Sequence, residues 1–193
     1  MSKKTVTTSL DELLKPLGFA RHKATWNRQQ DPFVDVIDVQ ASKGGDTITI
    51  NAGVLHRGVH QKCWLKEPPA CVQEPECTVR TRAGQLIDGR DLWWRKGDPR
   101  IAEDVIENVK VYMLPFLERM HSLEAMEQFL TESRLMKPRF PDSASVVYLA
   151  ILKDERGDKA GACALLTELG NKTLGDWKTR MREVAERLSC PAS

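Results

Sequence analysis

The fold is decided by residues 13–55, LLKPLGFARHKATWNRQQDPFVDVIDVQASKGGDTITINAGVL. Pro16 and Gly18 end a short leucine-rich helix, because proline disfavours helical geometry at the residue before it and glycine accepts a positive φ. Runs of β-branched and aromatic residues follow, separated by turn residues, which predicts three or four consecutive strands. Gly44 and Gly45 are typical of a tight hairpin turn. This order predicts an antiparallel sheet that carries its own helix.

The two longest predicted strands differ in their patterns. Residues 47–55 alternate cleanly between apolar and polar side chains, which indicates one buried face. Residues 33–42 change phase, because Val36 and Ile37 are neighbours and both apolar. That strand therefore has either two buried faces or a bulge at this point. We expect a shorter hairpin before them, within residues 19–28.

Helical periodicity replaces the strand pattern at Pro99, so we expect the strands to lie within residues 19–95. Ser9 is expected to cap the first helix, since Glu12 at its third position would complete a capping box. The first helix after Pro99 is expected to bend at Pro115. The first of the later helices is expected at residues 101–120, and a second begins at Ser122 and is interrupted by LMKPRFPD. Three more are expected at residues 142–156, 158–169 and 174–189.

The sequence thus predicts an α+β fold, in which an antiparallel β-sheet packs against helices and an all-helical C-terminal segment follows. We divide the chain into an α+β domain, residues 1–121, and a helical extension packed on it, residues 122–193. The full length of 193 residues suits this arrangement and is enough to bury a sizeable core.

Composition limits the classes of protein. Apolar residues make up 41% and charged residues 29%, values typical of globular chains, which argues against global disorder. The net charge of +2 is small for a nucleic-acid-binding protein, so we expect no nucleic-acid partner. The sequence carries no secretory signal pattern and no run of about 20 apolar residues that would cross a membrane. The five cysteines lack CxxC spacing, so we expect reduced thiols in a cytoplasmic protein.

The segment 56–77 is expected to be a loop, and it concentrates possible zinc ligands. The first three are His56, His60 and Cys63, and two further cysteines follow them. Nitrogen and sulfur ligands suit zinc, but these spacings match no closed ligand pattern. Ordinary loop thiols are the favoured interpretation, so we expect no metal and no cofactor. If a metal does bind, these three residues are the first candidates.

A polar set lies in the predicted strand 33–42. Asp35, Asp38 and Gln40 have apolar neighbours, so half-buried side chains here would need hydrogen-bond partners. Arginines on adjacent strands could supply them, and the candidates are Arg21, Arg28, Arg80 and Arg82. We favour such a satisfied network. The alternative is a polar pocket for a small ligand, or for a substrate if the protein is an enzyme.

Paired tryptophans in a turn-rich segment form the second candidate site. Trp93 and Trp94 lie between Arg90 and Arg95, and tryptophan and arginine dominate many protein interfaces. Burial of one or both rings in the core is the alternative interpretation. The chain has no phosphate-binding loop, nucleophile elbow or zinc-protease motif. The sequence therefore offers no catalytic residues.

Several of these segments together resemble a bacterial family, the domain of unknown function 4304. They are LLKPLGF, Trp26-x-Arg28, VDVIDVQASK, Asn51-x-Gly53-Val54 and RDLWW, and the resemblance covers about residues 10–120. It implies an α+β domain whose antiparallel sheet is backed by helices. It implies no catalytic residues. The cysteine-bearing segment 56–77 departs from the family pattern, and the helices after Ser122 lie outside it.

We expect a non-catalytic module that binds another protein. Small α+β proteins without catalytic motifs often have such roles, and proteins that neutralise toxins are one group suggested by analogy. The alternatives are a small-ligand binder or enzyme that uses the polar strand, and a zinc protein that uses segment 56–77. A deep pocket lined by the polar strand residues would favour the small-ligand alternative.

Overall fold

A computed structural model describes residues 5–136, 142–173 and 175–191. Most of the predicted LMKPRFPD interruption and the predicted helix residue Leu174 lie outside the described residues. The chain forms two compact units. The first contains the residues up to His56 together with Pro69–Arg119, and the second contains Arg57–Pro68 and the residues from Met120. Segment 57–68 thus groups with the second unit, whereas the sequence division placed it in the first.

The described residues contain six strands and nine α-helices. The strands are Ala20–His22 (β1), Thr25–Gln30 (β2), Phe33–Ala41 (β3), Thr47–His56 (β4), Val79–Arg82 (β5) and Trp94–Arg95 (β6). The helices are Val6–Leu14 (α1), Arg57–Trp64 (α2), Ala83–Ile87 (α3), Ile101–Asn108 (α4), Leu114–Arg119 (α5), Leu123–Met136 (α6), Ser143–Glu155 (α7), Lys159–Gly170 (α8) and Asp176–Arg187 (α9). None of these helices is long and apolar enough to cross a membrane.

The sheet is antiparallel throughout and follows the order β1-β2-β3-β4-β5. The short strand β6 also pairs with β4, at residues that precede the β5 pairing, so β5 and β6 share one edge of β4. All described strands lie within residues 19–95, and the described residues beyond 95 contain helices but no strand. The predicted α+β fold is confirmed.

The sheet has two differently covered faces. Trp26 lies opposite Ile37 on one face, where its indole nitrogen donates to Asp11 of α1 at 2.7 Å. We call this the helix face, because α1 and α5 cover it. The other face packs partly against segment 69–78, in a buried cluster formed by Val34, Val36, Leu55, Val72 and Cys77. We call it the loop face.

The phase change in β3 comes from burial on both faces. Pairing between β3 and β4 is continuous from Phe33 to Ala41, so the strand contains no bulge. The Val36 side chain points to the loop face and that of Ile37 to the helix face, and both are buried. Of the two explanations that the sequence allowed, the strand with two buried faces is correct.

Two local predictions are wrong, and a third is left untested. Thr5, not Ser9, caps α1, since its hydroxyl accepts from the Thr8 amide at 3.2 Å. Segment 56–77 is not a continuous loop, because α2 covers its first part. The bend expected at Pro115 stays a prediction, and the structure shows a π-helical turn at Val109–Met113, just before the proline. Pro115 has no N–H to donate to the preceding turn, which accounts for a disturbance at this point.

Arginine side chains of α9 complete the C-terminal end of α2 within the second unit. The last carbonyls of a helix have no partner inside it. Arg187 donates to the carbonyls of Lys62 and Cys63 at 2.8 and 3.0 Å. Arg180 lies 4.6 Å over the ring of Trp64, the last residue of α2. These contacts fix the C-terminal end of this eight-residue helix.

Two of the five cysteines are joined, which corrects the expectation of reduced thiols throughout. Cys163 of α8 and Cys190, just after α9, form a disulfide. Their Cα atoms are 5.4 Å apart, although 27 positions separate them in sequence. Sequence spacing could not reveal this pair, because the turn between α8 and α9 brings them together. Cys63, Cys71 and Cys77 are thiols.

Candidate functional site

The predicted polar set divides between the two faces of the sheet. Asp35 and Asp38 are an odd number of positions apart, so their side chains point to opposite faces of the strand. Asp35 is fully buried on the helix face, where it accepts from Nε of Arg28 at 2.8 Å. Arg28 also binds Glu118 of α5. Asp35 therefore belongs to a buried ion-pair cluster and cannot line a pocket with Asp38 and Gln40.

Asp38 and Gln40 lie on the loop face in a hydrogen-bonded network. Asp38 accepts from the Thr25 hydroxyl at 2.9 Å and from the Asn51 amide at 3.4 Å. The same Asn51 amide donates to Oε1 of Gln40 at 3.1 Å. Asp38 thus has its partners on adjacent strands, but they are a threonine and an asparagine where the sequence suggested arginines. Gln40 remains exposed, so the network reaches the surface.

Arg82 connects this network to the tryptophan segment. Its guanidinium donates to Oδ1 of Asp91 at 2.9 Å and to Oε1 of Gln40 at 3.4 Å. The same guanidinium lies 5.5 Å from the centre of the Trp93 ring, a cation–π contact. Nε1 of Trp93 donates to Oδ2 of Asp91 at 2.9 Å. Hydrogen bonds from Trp93 and Arg82 lower the pKa of Asp91, so this carboxylate is ionised at neutral pH.

Three arginines follow one edge of β4 on the loop face. Arg80, Arg82 and Arg95 lie directly opposite residues of β4, and the partners in that order are Gly53, Asn51 and Thr47. Directly paired residues of antiparallel strands share a face. We call Arg80, Arg82 and Arg95 the arginine row. Trp93 contacts its middle member.

Segment 69–78 covers the part of the loop face beside Arg80. Glycine is needed at position 53, because a Cβ atom there would lie 2.6 Å from Sγ of Cys77. Glu74 of the same segment lies 3.6 Å from Arg80. Burial raises the pKa of Glu74, although Arg80 opposes this shift. The Glu74 carboxyl group is the less exposed member of this pair, with 15% of its side chain accessible against 44% for Arg80.

Two buried polar atoms in this part of the sheet have no hydrogen-bond partner. They are the Thr49 hydroxyl and Oδ1 of Asn51. Both residues belong to β4 and point to the loop face, between the network of Asp38 and the arginine row. Sequence reasoning did not single out either residue. The alternation in β4 gave their common face, but the prediction that only the apolar face is buried is wrong, since segment 69–78 covers part of the loop face and Thr49 and Asn51 are 0% and 3% exposed.

Comparison with known protein families places this surface within a recognised domain. The model of a domain of unknown function (DUF4304) matches residues 10–119, more than half of the chain. The chain belongs to the DUF4304 family. No curated protein and no solved structure matches the chain. The whole arginine row lies within the matched residues, and the family description assigns no activity to it.

In this DUF4304 domain the four predicted partner-binding residues do not lie on one surface. Trp93 and Arg95 belong to the loop face, as described above. Trp94 lies opposite Ile48, so it points to the helix face. Arg90 binds the neighbouring Asp88 at 2.9 Å and extends into solvent. Adjacent residues of a strand point to opposite faces, which is why the paired tryptophans do not form a single platform.

The candidate zinc ligands occupy different settings. His56 ends β4, and its ring lies 5.2 Å from that of Phe33. His60 and Cys63 are buried on α2, and burial raises the pKa of Cys63 to about 12. Among the residues that the structure describes, no group of three or more histidine, cysteine or acidic side chains could hold a metal ion.

Proposed function

We propose that this DUF4304 protein is a non-catalytic module that recognises another protein through the open part of its loop face. The observation that carries this proposal is the contact of Arg82 with Trp93, Asp91 and Gln40 at the surface. Arginine and tryptophan contribute most of the binding energy at many interfaces. Here both side chains are held in place before any partner arrives, which reduces the entropy lost on binding.

The shape of this surface favours a protein over a small molecule. Gln40, Arg80, Asp91 and Arg95 are all exposed, so the polar residues form an open face. Small-molecule sites usually enclose most of the ligand and are lined mainly by apolar groups. An open face with mixed charges and one half-buried indole instead resembles the surfaces that proteins recognise.

A small-ligand site is the second candidate, and the Thr49 hydroxyl and Oδ1 of Asn51 are the observation that favours it. A ligand could supply the missing hydrogen bonds, and Asp38 would then help to bind it. Both atoms are buried, however, so a ligand would reach them only after neighbouring side chains moved. Stabilisation of the wild type by a metabolite, lost in Asp38→Ala, would support this second candidate.

Quantitative affinity capture tests the proposed function. The wild type, Arg82→Gln and Arg100→Gln would be immobilised at equal density, and the retained proteins would be compared by mass spectrometry. Arg100 is an exposed arginine at the start of α4, so its substitution controls for the change in charge. We expect a protein that the wild type and Arg100→Gln retain equally and that Arg82→Gln retains at least fivefold less.

Equal retention by all three proteins would contradict the proposed surface. A toxin among the proteins lost with Arg82→Gln would identify the module as a neutralising protein, the narrower role suggested by analogy. Thermal unfolding of each protein, measured in solution before immobilisation, would show that all three are folded. Arg82 is partly exposed, so its replacement by glutamine is expected to cost little stability.

A further inference from the structure

We propose that the partner presents an extended segment whose acidic side chains occupy alternate positions and bind the arginine row. This inference rests on the proposed function, because it concerns the same surface and names the chemistry of the partner. It adds a charge, a conformation and a spacing that the proposed function leaves open.

The spacing of the row matches that of an extended chain. Arg80 and Arg82 are two strand positions apart, which is about 6.6 Å at roughly 3.3 Å per residue. Arg95 lies opposite Thr47, four positions of β4 beyond the partner of Arg82, or about 13 Å farther. Trp93 precedes Arg95 and contacts Arg82, so an indole lies within that interval. Alternate side chains of an extended peptide repeat at the same distance of about 6.6 Å.

At the Arg80 end of the row, the charge exposed to a partner is positive. The Arg80 side chain is 44% exposed, whereas that of Glu74 is 15% exposed. Asp38 accepts hydrogen bonds from Thr25 and Asn51 and is half-buried. An approaching carboxylate would therefore meet the guanidinium before it met either acid.

The opposite end of the row is also basic. Arg95 is close to the β3–β4 turn, since the amide of Lys96 donates to the Asp46 carbonyl at 2.7 Å. Lys43 belongs to the same turn and is exposed. Arg95, Lys96 and Lys43 make no ion pair within the described part of the chain, and Oδ1 of Asp46 accepts from the Ser42 hydroxyl. These cations are available to the carboxylates of a partner.

Arg82 in the middle of the row can bind a further carboxylate. A guanidinium has five N–H donors, and the contacts with Asp91 and Gln40 use two of them. Arginine binds carboxylates in a planar, often bidentate geometry. Asp91 is the competing acid, with 53% of its side chain exposed. It holds Arg82 against Trp93, so it positions the guanidinium and also limits how much negative charge the middle of the row attracts.

An acid within the row favours a protein segment over a nucleic acid. Asp91 is exposed beside Arg82 in the middle of the row, and a continuous phosphate backbone would be repelled at that point. A peptide with acidic residues only at alternate positions can place uncharged side chains there. The net charge of +2 for the whole chain agrees with a local and selective attraction.

Fluorescence anisotropy with labelled peptides and the full-length protein tests this inference. The main probe is a peptide of about nine alternating glutamate and threonine residues, long enough to span the row at roughly 3.3 Å per residue. A peptide of equal composition with its glutamates in one block is the control for charge. We expect the alternating peptide to bind at least threefold more tightly than the block peptide. Its binding is expected to weaken as salt rises.

Substitutions in the protein locate the contact. Arg80→Gln and Arg95→Gln are each expected to weaken binding of the alternating peptide by about three- to fivefold, the effect of one exposed ion pair. Arg100→Gln, the same change outside the row, is expected to leave the affinity unchanged. The double variant Arg80→Glu/Arg95→Glu is expected to lose this peptide and to gain affinity for an alternating lysine and threonine peptide.

Three results would overturn the inference. They are equal affinity for the alternating and block peptides, unchanged affinity in Arg95→Gln, and tighter binding of a single-stranded oligonucleotide of the same charge. If the peptide fails but a captured protein still requires Arg82, the inference fails and the proposed function stands. If no captured protein requires Arg82, both fail.

Discussion

Arg82 and Arg28 show how the same residue type takes different roles on two faces of one sheet. Arg28 is buried with Asp35 and lies 4.9 Å from the Phe19 ring. Removal of one partner from such a buried pair leaves an uncompensated charge, so this arginine supports the fold. Arg82 has comparable contacts but reaches solvent. Its guanidinium is therefore positioned by the protein and still accessible to a partner.

Thr49 and Thr25 provide a test at the scale of single hydroxyl groups. Both threonines are buried on the loop face, but the Thr25 hydroxyl donates to Asp38, whereas that of Thr49 has no partner. A buried polar group without a partner costs free energy, whereas a satisfied one stabilises the fold. We expect Thr49→Val to leave the free energy of unfolding unchanged or raise it by up to about 1 kcal/mol. Thr25→Val is expected to lower it by about 1 kcal/mol.

Urea denaturation of the two variants beside the wild type would measure both changes. The substitutions are chemically identical and lie on the same face of the sheet, so each serves as the control for the other. A loss of stability in Thr49→Val as large as that in Thr25→Val would mean that the Thr49 hydroxyl has a partner in solution, such as an ordered water molecule.

Helices α6 and α7 are joined by a cluster of charged side chains centred on Glu127. Its carboxylate accepts from Nζ of Lys153 at 3.1 Å and from Arg156. Burial opposes the charge of Glu127, but the hydrogen bonds from Arg156 and Lys153 outweigh it and lower its pKa. Lys153 also binds Asp158, the N-cap residue of α8. One cluster thus connects three consecutive helices.

The lowered pKa of Glu127 predicts a pH dependence of stability. A carboxyl group whose pKa is lower in the folded state stabilises the fold above its unfolded pKa, and the contribution is lost as pH falls through the folded pKa. We expect Glu127→Gln to reduce the free energy of unfolding by about 1 kcal/mol at pH 7. The difference from the wild type should shrink below about pH 4.

Glu132→Gln is the matched control for this pH experiment. Glu132 belongs to the same helix and is exposed, and it accepts a hydrogen bond from Gln128. Its substitution is expected to change stability little at either pH. A Glu127→Gln effect of equal size at pH 7 and pH 3 would show that packing, and not the charge, links the helices.

At the scale of the whole molecule, the sequence predicted the parts of the fold that follow from periodicity. The alternation in residues 47–55 and the glycine turn before it gave β4 and its hairpin, and the helical period gave α7, α8 and α9. The sequence analysis missed α2, a helix of only eight residues whose C-terminal end depends on arginines from α9. The disulfide between Cys163 and Cys190 was also missed, because only the tertiary structure brings the two residues together.

The candidate site was only partly predictable. The residues Asp38, Gln40, Trp93 and Arg95 were identified from their types, and they belong to one face of the sheet. Which residues share that face depends on strand register, which the sequence did not give for β5 and β6. Register brings Arg82 beside Gln40 and Trp93 and separates Asp35 from Asp38. The arginine row could therefore be recognised only in the structure.

Trp93 and Trp94 allow the most direct test of the central claim that the protein binds its partner through the loop face. They are adjacent in sequence, but Trp93 contacts the arginine row and Trp94 points to the helix face. The measurement is the affinity of the captured partner for the wild type, Trp93→Ala and Trp94→Ala. Thermal unfolding would confirm that each variant is folded, and Trp94→Phe would replace Trp94→Ala if the latter is not.

We predict that Trp93→Ala weakens binding by at least about 30-fold, the loss of roughly 2 kcal/mol typical of a dominant interface residue. The folded Trp94 variant should bind as the wild type does. Unchanged affinity in Trp93→Ala, or an equal loss in the Trp94 variant, would contradict recognition through the loop face.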